Sequence, residues 1–346
     1  MKISVIIPVY NAERTIKECL EHLAHQDHTD YEIILVDNRS TDSSREIIEG
    51  FIKTHPGLNT RLISEPRQGA TMARNTGAKT AQGNILANID PDCLTSQTWL
   101  SDMNDCFQNW DIAMVAGNIE SQTPVNIFEK FSALFTLPGI KTDKIYSTYD
   151  FRTGGFATAN LAVRKEWFDR VNGFDEALNY HGTGIAEDHD LCKRIYDTGG
   201  KLLATPRAKL HHWHRGNLKG IARQGFLFGL AQPLLLGRYG AKGVLLDLWR
   251  FQLRIPAPFK GWLNFDLLDK KLFLMFLISL FWHPFFLILP LYFLWFARSV
   301  ILRAKQKNIL MGTFETIPIF LLMLIKAAGM TLGRLTGSFK FKVACV

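Results

Sequence analysis

The sequence predicts an α/β fold over residues 1–225, followed by an apolar helical region over residues 226–346. Three observations lead there. Short β-branched runs alternate with stretches of helical periodicity, the pattern of parallel strands joined by right-handed crossovers. Polar residues stand just after those runs, at Tyr10, Asp37 and Asp90, and ligands in such sheets bind beyond the carboxyl ends of the strands. From Phe226 onward a charge-mixed composition gives way to Leu, Phe and Trp.

Taken in order, Ile3 to Val9 is a β-branched run that reads as a buried strand. Asn11 to His25 places Ile16, Cys19, Leu20 and Leu23 on one helical face. Tyr31 to Val36 is a second buried strand ending at Asp37, and Ser40 to Ile52 a helix with Ser40 or Asp42 as N-cap. Arg61 to Ser64, Asn84 to Ile89, Asp111 to Asn118, Ala157 to Val163 and Leu202 to Leu210 read as further strands. Thr71 to Thr80, Lys165 to Val171 and Glu187 to Thr198 read as helices, the second closed by Gly173, and Phe128 to Gly139 is amphipathic and aromatic. Gly69 and Gly77 read as residues that let the backbone fit closely.

With 346 residues, 47% hydrophobic and 21% charged, the chain can bury a real core and is neither disordered nor fibrous. Its five cysteines stand far apart with no C-x-x-C pair, which argues against a disulfide framework or zinc site and for a reducing compartment. The N-terminal apolar run is short and interrupted by Pro8, unlike a signal peptide, so the first domain is expected in the cytosol. The formal net charge is +8, with Lys270, Lys271, Arg298, Arg303, Lys305 and Lys307 gathered around the apolar segments. That arrangement suits an anionic membrane surface; no recognition motif accompanies the charge, so nucleic acid is not an expected partner. Leu272 to Phe296 has no formal charge over 25 residues, a length that spans a bilayer, while Pro284 and Pro290 also permit a re-entrant hairpin. A second apolar stretch, residues 317–332, either spans or lies in the interface with Lys326 snorkelling.

The residues that carry chemistry are mostly acidic. Asp90-Pro91-Asp92 follows the strand NILANI. Two carboxylates one residue apart at a strand end can face a divalent cation and a diphosphate together, and hard ions such as Mg²⁺ and Mn²⁺ prefer oxygen ligands. Such an ion neutralises a diphosphate leaving group, although Asp and Pro equally favour a plain turn. Asp37, at a strand end, can close an Asx-turn or cap a helix. Glu187 and Asp188 open a helix, where negative charge is favourable and where a carboxylate can also serve as a base. His211, His212 and His214 follow a strand, where an imidazole can complete a metal shell.

Five stretches stand in register with one known family: IIPVYN (Ile6 to Asn11), VDNRSTDSS (Val36 to Ser44), PRQGATMARNTGAKTAQGNILANIDPD (Pro66 to Asp92), GGFATANLAVRKEWFDRVNGFDE (Gly154 to Glu176) and AEDHDLCKRI (Ala186 to Ile195). Their order and spacing resemble the family 2 glycosyltransferases of the GT-A fold, a Rossmann-like mixed sheet, and the membrane-associated bacterial type in particular. The resemblance implies inverting transfer of a sugar from a nucleoside-diphosphate sugar to a hydroxyl, with Mg²⁺ or Mn²⁺. It implies that Pro8 and Tyr10 lie in a nucleotide-contact loop, that Asp37 holds the base, and that Arg67 and Arg74 face the phosphates. Asp90 and Asp92 would form the metal and sugar site, with Asp92 the direct ligand and Asp90 also near the sugar or ribose hydroxyls. Asp188 would be the base and Glu187 would position it or the acceptor; His212 and Arg215 would stand beside the metal or diphosphate. Gly155 would floor the acceptor side, and Asn160 would be structural or sugar-facing there. Asp190 is expected to serve only the helix N-terminus.

The segment Arg223-Gln224-Gly225 departs from the Q-x-x-R-W form of related membrane-bound enzymes, so an interfacial helix is expected there before a gate. The implied acceptor is a lipid-linked or cell-surface glycan at the cytoplasmic face of the cell membrane, and a homo-oligomer is compatible with it. Alternatives are transfer to a polyprenyl phosphate, or a non-catalytic nucleotide-binding membrane scaffold. Nucleotidyl transfer fits less well, since PVYNAER and no Gly-rich loop follows the first strand.

Overall fold

Ile3–Val9 (β1), Tyr31–Asp37 (β2), Thr60–Ser64 (β3) and Ile85–Ile89 (β4) form the half of the main sheet that the sequence anticipates, parallel and ordered β3-β2-β1-β4. The computed structural model of the chain describes residues 1–136, 139–150, 155–214, 216–248, 251–264, 288–312 and 314–345. Lys270, Lys271, Gly154, Arg215 and residues 272–287 of the expected apolar segment lie outside the described residues. The chain divides into two compact units, Met1–Gln122 with Pro138–Trp213, and Thr123–Leu137 with His214–Val346.

In the first unit, side-chain alternation sends Ile3, Val5, Ile7, Ile33 and Leu35 to one face of the sheet and Ile6, Ile34 and Val36 to the other. Helices α1 (Ile16–Ala24) and α2 (Ser44–Thr54) cover the first face, and α3 (Ala70–Thr80) the second. Burial on both faces is why these strands read as unbroken apolar runs. Helix α2 starts later than expected, with Ser43 as its cap residue; Asp42 instead accepts the N–H groups of Ser44 and Glu13.

Beyond β4 the sheet stops being parallel. Cys93–Thr95 (β5), α4 (Trp99–Cys106), Ile112–Ala116 (β6), Ile119–Ser121 (β7), α5 (Ile127–Phe135), Lys144–Tyr146 (β8), Asn160–Arg164 (β9) and α6 (Lys165–Arg170) follow. Next come the hairpin Asn179–Tyr180 (β10) and Thr183–Gly184 (β11), α7 (Glu187–Asp197), Lys201–Ala204 (β12) and Leu210–His212 (β13). Strand β9 inserts antiparallel between β4 and β6, giving the eight-stranded mixed order β3-β2-β1-β4-β9-β6-β12-β8. The single strand expected over Leu202 to Leu210 is two: β12 in the main sheet, and β13 between β5 and β7 in a small second sheet. Pro206, which lacks an N–H, and Ala208 at φ +48° separate them.

The second unit corrects the expectation of a purely helical region. Besides α8 (Leu218–Tyr239), α9 (Ile288–Gln306) and α10 (Thr316–Phe341) it holds a four-stranded sheet of Gly243–Leu248 (β14), Phe251–Ile255 (β15), Lys260–Asn264 (β16) and Ala344–Cys345 (β17). The alternation in FQLRI is the strand signal that the surrounding Leu and Phe obscured. The break between units falls at Trp213, earlier than residue 225, and α5 packs with α8, α9 and α10 through Phe131, Leu134, Ile221, Phe296, Val300 and Ile319.

Helices α8 and α10 pack with their backbones almost touching. A Cβ on Gly225 would meet the Lys326 carbonyl at 2.5 Å, one on Gly229 that of Met330, and one on Gly333 that of Phe226. Glycines four apart on both helices permit this approach, as in helix pairs of membrane proteins. Lys326 does not snorkel: it is buried, its ammonium 5.7 Å from the Phe131 ring and 5.4 Å from the Phe228 ring. Among the described residues α10 is the helix long and apolar enough to cross a membrane.

Candidate functional site

The parallel register of β1, β2 and β4 sets the ends of these strands along one rim. Tyr10, just past β1, is 51% exposed, whereas Pro8 is buried within the strand opposite Val36. Asp37, the last residue of β2, is largely buried. Its Oδ1 accepts the Ser40 N–H at 3.1 Å and its Oδ2 pairs with Arg45 at 3.3 Å. The Asx-turn is therefore formed, and the second oxygen faces a half-exposed guanidinium.

Asp90-Pro91-Asp92 is a turn as well as a carboxylate pair, since the Cys93 N–H donates to the Asp90 carbonyl at 3.1 Å. Strand β13 pairs antiparallel with β5 so that His212 lies opposite Cys93. This brings His212 Nε2 to 3.4 Å from Asp92 Oδ1, while His211 lies on Glu120. Asp92, Cys93 and His212 each offer one ligand atom, all within 4.8 Å of one another. Burial, then Asp92 and Asp90, push the Cys93 thiol well up, so it stays protonated at neutral pH. The carboxylate oxygen and imidazole nitrogen are the donors of this group that suit Mg²⁺ or Mn²⁺. Asp90 is not in that group: its Oδ1 accepts Arg74 Nη2 at 2.7 Å.

Arg74 is the junction of the site. It does not project from an exposed helix face; it is 3% exposed and reaches Asp90 at 2.7 Å and Glu187 at 3.5 Å. One guanidinium thus ties the D-x-D turn to the Glu187-Asp188 pair. Asp188 accepts the His189 N–H on Oδ1 at 2.8 Å, and Asp190 is buried against Arg194 at 2.7 Å, as its structural role requires. Ala186, at φ +57°, turns the chain sharply into α7.

Burial first, and then Asp188, push the Glu187 carboxyl up to about 7, against the opposing pull of Arg74. Between the ordinary 4.5 and about 7 the folded chain holds a proton that the unfolded chain has released, so stability falls as pH rises through that window. Glu187→Gln is therefore expected to raise stability at pH 8 by on the order of 1–3 kcal/mol and to leave it nearly unchanged near pH 4.5. Thermal melts at the two pH values check this; equal shifts at both would contradict it.

Other expected residues sit elsewhere. The Arg67 guanidinium is held between Glu65 at 2.9 Å and Glu176 at 2.6 Å and so does not stand free for phosphate. Asn160 is structural: buried, it gives both amide hydrogens to the Asn118 and Ala208 carbonyls and accepts Trp99 Nε1 at 2.9 Å. Gly155 is required because a Cβ there would enter the His189 ring, which is also held by the Tyr149 hydroxyl at 3.1 Å. Glu65, Tyr149, His189 and Glu176 were not foreseen in these roles. Glu65 had a signal, as a third acidic residue directly after a strand; Tyr149 had none.

The family model "Glycosyl transferase family 2" matches residues 4–171, and the model "N-terminal domain of galactosyltransferase" matches residues 142–215. The chain is similar to Glycosyltransferase AglE of Haloferax volcanii, 38% identical over 207 residues, covering 58% of this chain and 63% of that protein. The chain thus spans less than two thirds of this curated relative. It is also 24% identical over 256 residues to the dolichyl N-acetyl-alpha-D-glucosaminyl phosphate 3-beta-D-2,3-diacetamido-2,3-dideoxy-beta-D-glucuronosyltransferase of Methanococcus voltae, covering 72% of this chain and 77% of that one. Among solved structures, the mannosyltransferase PcManGT from Pyrobaculum calidifontis, in complex with GDP-Man and Mn²⁺, superposes with a TM-score of 0.57. That superposition covers 98% of this chain and 87% of that one at 18% identity, a likeness of fold.

Proposed function

We propose that this chain, residues 4–171 of which match the family 2 glycosyltransferase model, moves a sugar from a nucleoside-diphosphate sugar to a hydroxyl of a lipid-linked or cell-surface glycan, with inversion. The observation that carries the reading is Arg74, which draws the Asp90-Pro91-Asp92 turn and the Glu187-Asp188 pair to one buried guanidinium. In the proposed reaction an acceptor hydroxyl oxygen attacks the anomeric carbon from the far face. The bond from that carbon to the phosphate oxygen breaks, the nucleoside diphosphate leaves with the electron pair, and the hydroxyl proton passes to the Asp188 carboxylate. Tyr10 and Asp37 would meet the nucleotide. Glu187 and Asp90 would hold Arg74, whose charge would face that of the departing diphosphate.

Asp92 and His212 would hold a divalent cation, Mg²⁺ or Mn²⁺, which when bound neutralises diphosphate charge. The mannosyltransferase of the same fold with bound Mn²⁺ supports that choice. The experiment is donor turnover with added Mg²⁺ or Mn²⁺, before and after chelation. Turnover should vanish on chelation, and Asp92→Ala should raise the cation concentration for half-maximal rate by ~10-fold or more. Metal-independent turnover, or an unshifted titration in the variant, contradicts the assignment.

Membrane association belongs to the same proposal. Leu291, Leu294 and Trp295 on α9 and Leu321, Leu332 and Phe339 on α10 are all exposed, and Arg298, Arg303 and Lys305 accompany them. The relative named for a dolichyl-linked acceptor supports a lipid-linked substrate. Catalysis would then take place at the cytoplasmic face of the cell membrane.

A further inference from the structure

One half-exposed arginine straps the loop after β3 to the turn that precedes α7. At the loop end, Glu65 is buried and fully engaged: it accepts the Arg67 N–H at 2.8 Å, Arg67 Nε at 3.1 Å and Nη2 at 2.9 Å, and the Thr76 hydroxyl at 2.5 Å. Those bonds, Arg67 foremost, hold its carboxyl down at about 2. Asn38, next to Asp37, donates to the Glu65 and Arg67 carbonyls at 2.8 Å and accepts the Gly69 N–H at 2.6 Å. The loop is thereby fixed to the rim where the nucleotide would lie.

At the other end Arg67 Nη1 donates to Glu176 Oε2 at 2.6 Å and Nη2 to Oε1 at 3.4 Å. Glu176 opens a short 3-10 turn, Glu176–Leu178, which runs straight into the β10–β11 hairpin. Asn179 in that hairpin donates to the Gln68 carbonyl at 2.6 Å and fills the space a Cβ on Gly69 would need, at 2.6 Å. Gly69, at φ +143°, tolerates this. Gly184 closes the hairpin against the Glu187 carboxylate, where a Cβ would lie 2.5 Å from its oxygens. A continuous path therefore runs from Asp37, through residues 65–69 and Arg67, to Glu176, the hairpin and Glu187-Asp188.

We propose that Arg67 and Glu176 are positioning residues: their ion pair sets the hairpin, and through it Glu187 and Asp188, against the donor-side loop. The assignment of Asp188 as base rests on the function proposed above; the strap does not. Four hydrogen bonds to carboxylates use four of the five guanidinium N–H donors, which leaves too little for a phosphate ligand. The pair is exposed enough, at 51% and 33%, that it adds little to overall stability. Its use is geometric, because a small misplacement of a reacting group lowers rate steeply.

Glu176→Gln tests this, since it removes the far charge and leaves Glu65 and Arg67 paired. The expected result is a kcat lowered about tenfold with donor KM changed by less than about twofold and a melting temperature within about 2 °C of wild type. Backbone amides of residues 179–187 should exchange hydrogen faster. Glu176→Asp, which keeps the charge, should restore most of the rate. A raised donor KM with unchanged kcat would overturn the proposal in favour of a phosphate-binding Arg67. Unchanged exchange and unchanged kcat would overturn it outright, and so would a rate loss that merely tracks a lowered melting temperature. Hydrogen exchange reads the strap whether or not a donor is turned over, so failure of the strap and failure of the glycosyl-transfer reading are separate results.

Discussion

Arg74→Met will lower stability by about 3–5 kcal/mol at pH 8 and abolish donor turnover. Methionine keeps much of the volume on α3 but removes the one charge shared by Asp90 and Glu187. Glu187, 13% exposed, would then lie buried beside Asp188 with no cation to offset it, and an uncompensated buried charge is the costly case. The loss should shrink toward pH 5, where Glu187 is protonated and asks for no partner. For a unit of this size the melting temperature should fall by roughly 10 °C at pH 8. A variant that melts with wild type at both pH values would show that the guanidinium does not hold the two motifs together.

Asp188→Asn will lower kcat by about 10²–10⁴-fold with little change in donor affinity. The asparagine keeps an oxygen for the His189 N–H that Asp188 Oδ1 now accepts at 2.8 Å, so the start of α7 should survive. What it cannot do is take the acceptor proton. The Glu187 carboxyl is pushed up by its burial, yet it faces Arg74 and the backbone at Gly184, which suits holding the arginine rather than meeting an acceptor. Single-turnover rates and donor binding for Asp188→Asn and Glu187→Gln separate the two. More than a tenth of wild-type kcat in Asp188→Asn would move the base to another residue.

Much of the candidate site's layout was legible because its parts are local. A carboxylate after a buried strand is visible at Asp37 and Asp90, and acidic residues opening a helix are visible at Glu187 and Asp188. The sheet's parallel half was legible for the same reason. Strand β9 was recognised as a strand, but its antiparallel insertion between β4 and β6 was not, since direction and neighbours are set by packing between distant segments. The strands after residue 242 were hidden by composition: Leu and Phe richness suggested helix where FQLRI alternates.

By itself the sequence determined which segments are strands and helices near the rim, and which carboxylates stand at their ends, because periodicity and turn chemistry act over a few residues. Only the tertiary structure decided the partners. It set Arg74 between Asp90 and Glu187, turned Arg67 onto Glu65 and Glu176, and buried the Asn160 amide among Trp99, Asn118 and Ala208. Of the histidines it brought His212 and not His211 to Asp92, because the β5–β13 register selects alternate side chains and a slip of one residue would exchange them.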